Sequence, residues 1–89
     1  MWTIYKYSIH LSDDHTFIKM PVDARILCAQ FQGASLCIWA VFDKETEFDE
    51  TAIREFAVIG TGEEFPALGT YIGTVQEPPF VWHVFELTD

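Results

Sequence analysis

Apolar and polar side chains alternate with a period of two along almost the entire chain, and Gly, Pro or Asp clusters interrupt the alternation at short intervals. Successive side chains of an extended strand point to opposite faces, so this pattern commits the chain to a small antiparallel β fold. From residue 3 to 11, Tyr5, Tyr7, Ile9 and Leu11 share one face, and Lys6, Ser8 and His10 the other. Asp13-Asp14 then turns the chain. A second strand, His15 to Met20, sets Thr16, Ile18 and Met20 against His15, Phe17 and Lys19, and Pro21 ends it by removing a ladder donor.

Arg25 to Gln32 and Leu36 to Asp43 flank Gln32-Gly33-Ala34-Ser35, which reads as a hairpin with a glycine-bearing turn. In its first arm Leu27, Ala29 and Phe31 oppose Ile26, Cys28 and Gln30. Its second arm is apolar on both faces, Cys37, Trp39 and Val41 on one and Leu36, Ile38, Ala40 and Phe42 on the other. That predicts a central strand covered on both sides, or one buried against another subunit. Thr51 to Ile59 admits a strand or a short helix near 50–57, and the β-branched pair Val58-Ile59 ahead of Gly60 favours the strand. Thr70 to Gln76, with Gly73 as a bulge or close-approach point, and Phe80 to Leu87 complete roughly seven strands. The expected fold is all-β, a small single-domain antiparallel sandwich or partly open barrel over residues 1–89.

A chain of 89 residues supports one core. With 49% hydrophobic and 16% aromatic residues it carries more apolar surface than that core can hide, which predicts a homo-oligomer. Five Lys and Arg against fourteen Asp and Glu give a formal charge of -9, and this excludes general nucleic-acid coating. Asp43, Glu45, Glu47, Asp49 and Glu50 gather much of the surplus in one segment, either a solvated turn or a DNA-like surface for a basic protein. Cys28 and Cys37 lie inside apolar runs and are expected as buried free thiols, with a disulfide between the two arms left open geometrically. The start of the chain lacks the basic and apolar regions of a signal peptide, and no apolar run approaches the ~20 residues of a membrane span, so a cytosolic protein is expected.

Enzymatic chemistry finds few parts. His10 and His15 with Asp13 and Asp14 could approach one another across a turn, but a metal site needs three or four ligands in fixed geometry, and such a turn more often faces water. Cys-His catalysis would need Cys28 or Cys37 beside His83 with a third orienting group. A binding site is better supplied. Gly60-Thr61-Gly62 can bring backbone amides and a hydroxyl to an anion, or serve only as a tight turn. Arg25 and Arg54 sit in strand-like segments and can offer planar forks to phosphate, or pair with Asp23, Glu55 or Glu86. Trp39 and Trp82, like Trp2 and Tyr71, provide rings for stacking on a base or for packing a core, and Thr74 adds a hydroxyl. His83 alternates with Trp82 and reads as a satisfied sheet histidine.

Ile4-Tyr5-Lys6-Tyr7, Ala24-Arg25-Ile26-Leu27 with Gln30 and Gln32, Leu36-Cys37-Ile38-Trp39-Ala40 with Asp43, Ile59-Gly60-Thr61-Gly62, Tyr71-Ile72-Gly73-Thr74-Val75 and Val81-Trp82-His83-Val84-Phe85-Glu86 follow one another in a fixed order. In this the chain resembles a small family of phage-encoded proteins of unknown function, over nearly its whole length. Members of that family often carry His after the second glycine of the Gly-Thr-Gly turn, where this chain has Glu63. The resemblance implies an accessory, non-enzymatic phage protein in the cytoplasm of an infected bacterium, with no cofactor. One expectation is a homo-oligomeric sponge that withholds a cyclic nucleotide or similar signalling ligand from host immunity. Its pocket would draw on Arg25, Trp39, Arg54, Gly60, Thr61, Gly62, Thr74 and Trp82. The others are an acidic inhibitor of a host defence protein and a structural phage component.

Overall fold

In the computed structural model, which describes residues 1–11, 15–46 and 50–88, the chain forms seven strands. They are β1 (Trp2–Ile9), β2 (His15–Pro21), β3 (Arg25–Gln32), β4 (Ser35–Asp43), β5 (Thr51–Gly60), β6 (Thr70–Glu77) and β7 (Phe80–Glu86). A single 3-10 turn, Lys44–Thr46, is the helical element among the described residues. The strands make two antiparallel sheets, one ordered β1-β4-β3 and the other β2-β5-β7-β6. The chain changes sheet between β1 and β2, between β2 and β3 and between β4 and β5. This is the open-sandwich form of the expected all-β fold. The helical alternative near 50–57 does not occur: Phe56 and Val58 turn inward and Ala57 and Ile59 outward, as a strand requires.

The core lies between the inner faces. Ile9, Leu36, Ile38, Ala40 and Phe42 from the first sheet meet Met20, Phe56, Val75 and Val84 from the second. Phe42 and Phe56 are fully buried, and truncating either would cost ~3–5 kcal/mol. β4 is the centre of its sheet with β1 and β3 on either side, as its two apolar faces predict. The β3–β4 turn has Gly33 at φ 59 and no positive φ at Ala34, the combination of a type II′ hairpin turn.

Strand parity in β3 departs from simple alternation. A register shift between Ile26 and Cys28 inserts Leu27 as an extra residue, so Ile26, Ala29 and Phe31 face the core while Leu27 is exposed. The expected grouping of Leu27 with Ala29 and Phe31 is corrected on that account. A second shift, between Tyr71 and Gly73, falls in β6. An added Cβ at Gly73 would stand 3.8 Å from the Ala29 carbonyl oxygen, an ordinary contact, and Gly73 has no positive φ, so neither close approach nor backbone conformation demands a glycine there. The same contact places β6 beside β3, at a seam where the two sheets adjoin.

The molecule is only 18 Å across its shortest dimension, which two stacked sheets and their side chains fill. Each sheet therefore has an outer face with nothing further beyond the elements described. On the four-stranded sheet, the segment between β5 and β6 lies over that face. Ala57 and Ile59 point outward yet are only 4% and 9% exposed. Phe65 from this segment sets its ring 5.7 Å from that of Phe85. Gly69 lets the segment close down, since a Cβ there would lie 2.2 Å from the Glu86 carbonyl oxygen.

Candidate binding site

The Gly60-Thr61-Gly62 turn is built from within. Gly60 donates its N–H to Glu63 Oε1 at 2.8 Å, Glu63 N–H returns to the Gly60 carbonyl at 3.0 Å, and Thr61 N–H reaches the Val81 carbonyl at 3.3 Å. Gly62 takes φ 93, a conformation glycine adopts freely. The amides of Gly60, Thr61 and Glu63 are thus engaged within the protein, and a carboxylate stands beside them.

The Thr61 side chain does join a polar chain. Its Oγ1 lies 2.7 Å from His83 Nε2, His83 Nδ1 lies 3.0 Å from Thr74 Oγ1, and Thr74 Oγ1 lies 2.7 Å from the Tyr71 hydroxyl. Hydroxyls both donate and accept, so this relay accommodates either imidazole tautomer. Cross-strand pairing explains the arrangement: Thr74 sits opposite His83, and Tyr71 opposite Phe85, on the outer face of the four-stranded sheet. His83 is the satisfied sheet histidine that alternation implied. What one sequence could not reveal was its partners, because the β6–β7 register is shifted by the bulge.

The two arginines, which lie in different sheets, meet at the seam. Arg54, on the inner face of β5, donates from Nε and Nη2 to the two oxygens of Glu86 at 2.6 and 2.7 Å, and from Nη1 to the Ala24 carbonyl at 2.5 Å. Both side chains of the pair are largely buried, at 15% and 11% exposure. The bidentate bond to Glu86 holds the Arg54 guanidinium above its ordinary pKa, outweighing burial, which acts the other way. Arg25 is exposed at the start of β3. Both line a groove of about 370 Å³ with Ile26, Leu27, Tyr71 and Glu86. Tyr71 thereby connects this groove to the Thr61–His83–Thr74 relay.

The tryptophans lie elsewhere. Trp39 is on the outer face of the three-stranded sheet, between Lys6 and Cys28 in the ladder. Trp82 packs against the core, stacks on Phe80 at 5.6 Å and donates from Nε1 to Glu77 at 3.4 Å. Neither lines the arginine groove, so both are separated from it; Tyr71 lines it, with its ring set 5.7 Å from Phe85 and its hydroxyl on Thr74.

Other sequence candidates resolve as follows. His15 Nδ1 pairs with Glu55, while Asp13 and Asp14 lie outside the described residues, and no group of three or more potential metal ligands occurs among the described ones. Cys28 and Cys37 are free thiols, the first half-buried and the second buried. Of the acidic segment, Glu47 and Asp49 lie outside the described residues. Asp43 accepts from the Glu45 N–H at 3.0 Å and sits 3.3 Å from the N-terminal ammonium, and these two hold its carboxyl below the ordinary aspartate range. Among the described residues no helix is long and apolar enough to cross a membrane.

Neither a curated protein nor a solved structure matches the chain. A family model described as a domain of unknown function, DUF7352, matches residues 1–89 in full, and the chain belongs to that family.

Proposed function

We propose that this protein is a non-enzymatic binding protein that sequesters a small anionic ligand of the nucleotide class in the Arg25–Arg54 groove. The observation that carries the reading is the convergence of the two arginines, from opposite sheets, on one hollow. On a chain of formal charge -9, two guanidiniums against one carboxylate make a locally positive spot, which an anion requires there. Arg54 is fixed by Glu86 and supplies a held charge; Arg25 is exposed and supplies the fork that can close on phosphate. Tyr71 lines the same groove, its ring turned to Phe85 and its hydroxyl held by Thr74. At about 370 Å³ the groove falls at the small end of ligand pockets, so a second copy closing its open side fits a homo-oligomeric sponge. The biological setting in this proposal is a phage accessory protein that withholds a nucleotide second messenger from host defence.

Ligand binding stabilises the folded chain by mass action. In thermal melts against a panel of cyclic di- and trinucleotides and ADP-ribose derivatives, at least one member raises the Tm. Arg25→Ala removes that shift and leaves the unliganded Tm unchanged. A panel without effect, or a shift that survives in Arg25→Ala, overturns the reading.

A further inference from the structure

We infer that the outer face of the β1-β4-β3 sheet is the docking surface for a second copy of this chain. The face is apolar toward one end: Trp2 is 71% and Ile4 56% exposed, with Trp39, Val41 and Cys28 half-buried between them. Its ladder rows are Ile4, Val41 and Arg25, then Lys6, Trp39 and Cys28. Toward the other end Lys6 reaches across β4 and donates to Gln32 Oε1 at 2.5 Å, a strap that accounts for the burial of the outward-pointing Cys37. Among the described residues, no segment lies over this face as residues 61–69 lie over the other.

Charge identifies the occupant. Of the fourteen Asp and Glu, Asp43 alone falls in the strands of this sheet, at the last position of β4, where the N-terminal ammonium sits against it. The same strands hold Lys6, and Arg25 stands at the rim of the face, at the first position of the edge strand β3, where it also lines the groove. Two chains of charge -9 repel wherever acidic surfaces approach, and on this face the carboxylates among the described residues are confined to Asp43 and Asp23 at the Trp2 end, so two copies can meet there with few carboxylates opposed. Three strands of some eight residues project roughly 400 Å² per copy before side-chain relief, so a face-to-face pair buries roughly 800 Å², below the ~1,000 Å² of a specific stable interface. The pairing is thus weak and concentration-dependent. Salt strengthens it, because screening removes the repulsion of the remaining surface and weakens nothing central to the face. The inference rests on the homo-oligomeric part of the proposed function but needs no ligand.

Cys28 reports on the face directly, because Cys37 is buried and a thiol reagent added to the folded protein reads Cys28 alone. Without ligand, the labelling rate of Cys28 should fall roughly tenfold from low to high micromolar protein. In Ile4→Lys, which alters an exposed position, labelling stays fast at every concentration while circular dichroism is unchanged. Labelling that is independent of concentration in the wild-type chain overturns the inference. So does protection that persists in Ile4→Lys, which would mean that the copies meet elsewhere or that a monomer shields the thiol. Failure here leaves the Arg25→Ala melting test standing, and failure there leaves this one standing.

Discussion

The two sheets treat their outer faces in opposite ways. The four-stranded sheet is covered from its own chain: residues 61–69 fold back over Ala57 and Ile59, Phe65 meets Phe85, and His83 is satisfied by Thr61 and Thr74. The three-stranded sheet leaves Trp2 and Ile4 in the open and keeps acids off the face except at its end. Among the described residues, one return segment covers one face. What differs between the faces is therefore where the cover comes from, and polar satisfaction on one side is matched by apolar readiness on the other.

Substitutions should separate the two regions. The largest effect is expected at the tie between sheets: Arg54→Ala strands the Glu86 carboxylate and the Ala24 carbonyl, and urea unfolding should show a loss of about 3 kcal/mol. Next comes the cover itself. Gly69→Ala places a Cβ against the backbone of Glu86, so the segment must lift, costing about 2 kcal/mol and raising hydrogen exchange in β7. At the turn, Gly60→Ala sets a Cβ 2.4 Å from Glu63 Oε1, the end of a side chain that can swing away, and loses that hydrogen bond for about 1 kcal/mol. On the opposite face, Ile4→Lys should change the stability of the dilute chain by no more than about 0.5 kcal/mol.

The smallest effect concerns pH. The Asp43 carboxyl is depressed in the folded chain by the Glu45 N–H and the N-terminal ammonium, so its contribution is present above the ordinary aspartate range and is lost as pH falls through the depressed value. Asp43→Asn should lower stability slightly near neutrality, where the wild-type carboxylate contributes, and leave it unchanged below the depressed value, so that the acid limb of the profile is flattened. The measurement is urea unfolding of both proteins at a series of acid pH values.

Much of the fold was legible because alternation is a local signal. The faces of β1 and β2, the hairpin at Gly33 and the central position of β4 follow from spacing and from the apolarity of both faces of Leu36 to Phe42. Leu27 was misplaced because a bulge changes parity without any marker residue of its own, whereas the bulge in β6 sits at a glycine. For the site, sequence supplied the ingredients and not the grouping. Arg25 and Arg54 converge because Arg54, from β5, reaches the Ala24 carbonyl next to Arg25, a tertiary fact with no local trace. Gly60-Thr61-Gly62 left an anion cradle and a tight turn both open, because nothing in the triplet foretells that Glu63 turns back onto the Gly60 amide. Trp39 and Trp82 could not be assigned to one site, since adjacent parity on separate sheets sends one outward and the other into the core.

The division of labour between the faces is tested most directly by sedimentation equilibrium of the unliganded wild-type chain across a range of concentrations and salt. A reversible dimer that strengthens with protein and with salt is the expected result. A single species of 10.2 kDa under every condition would contradict it.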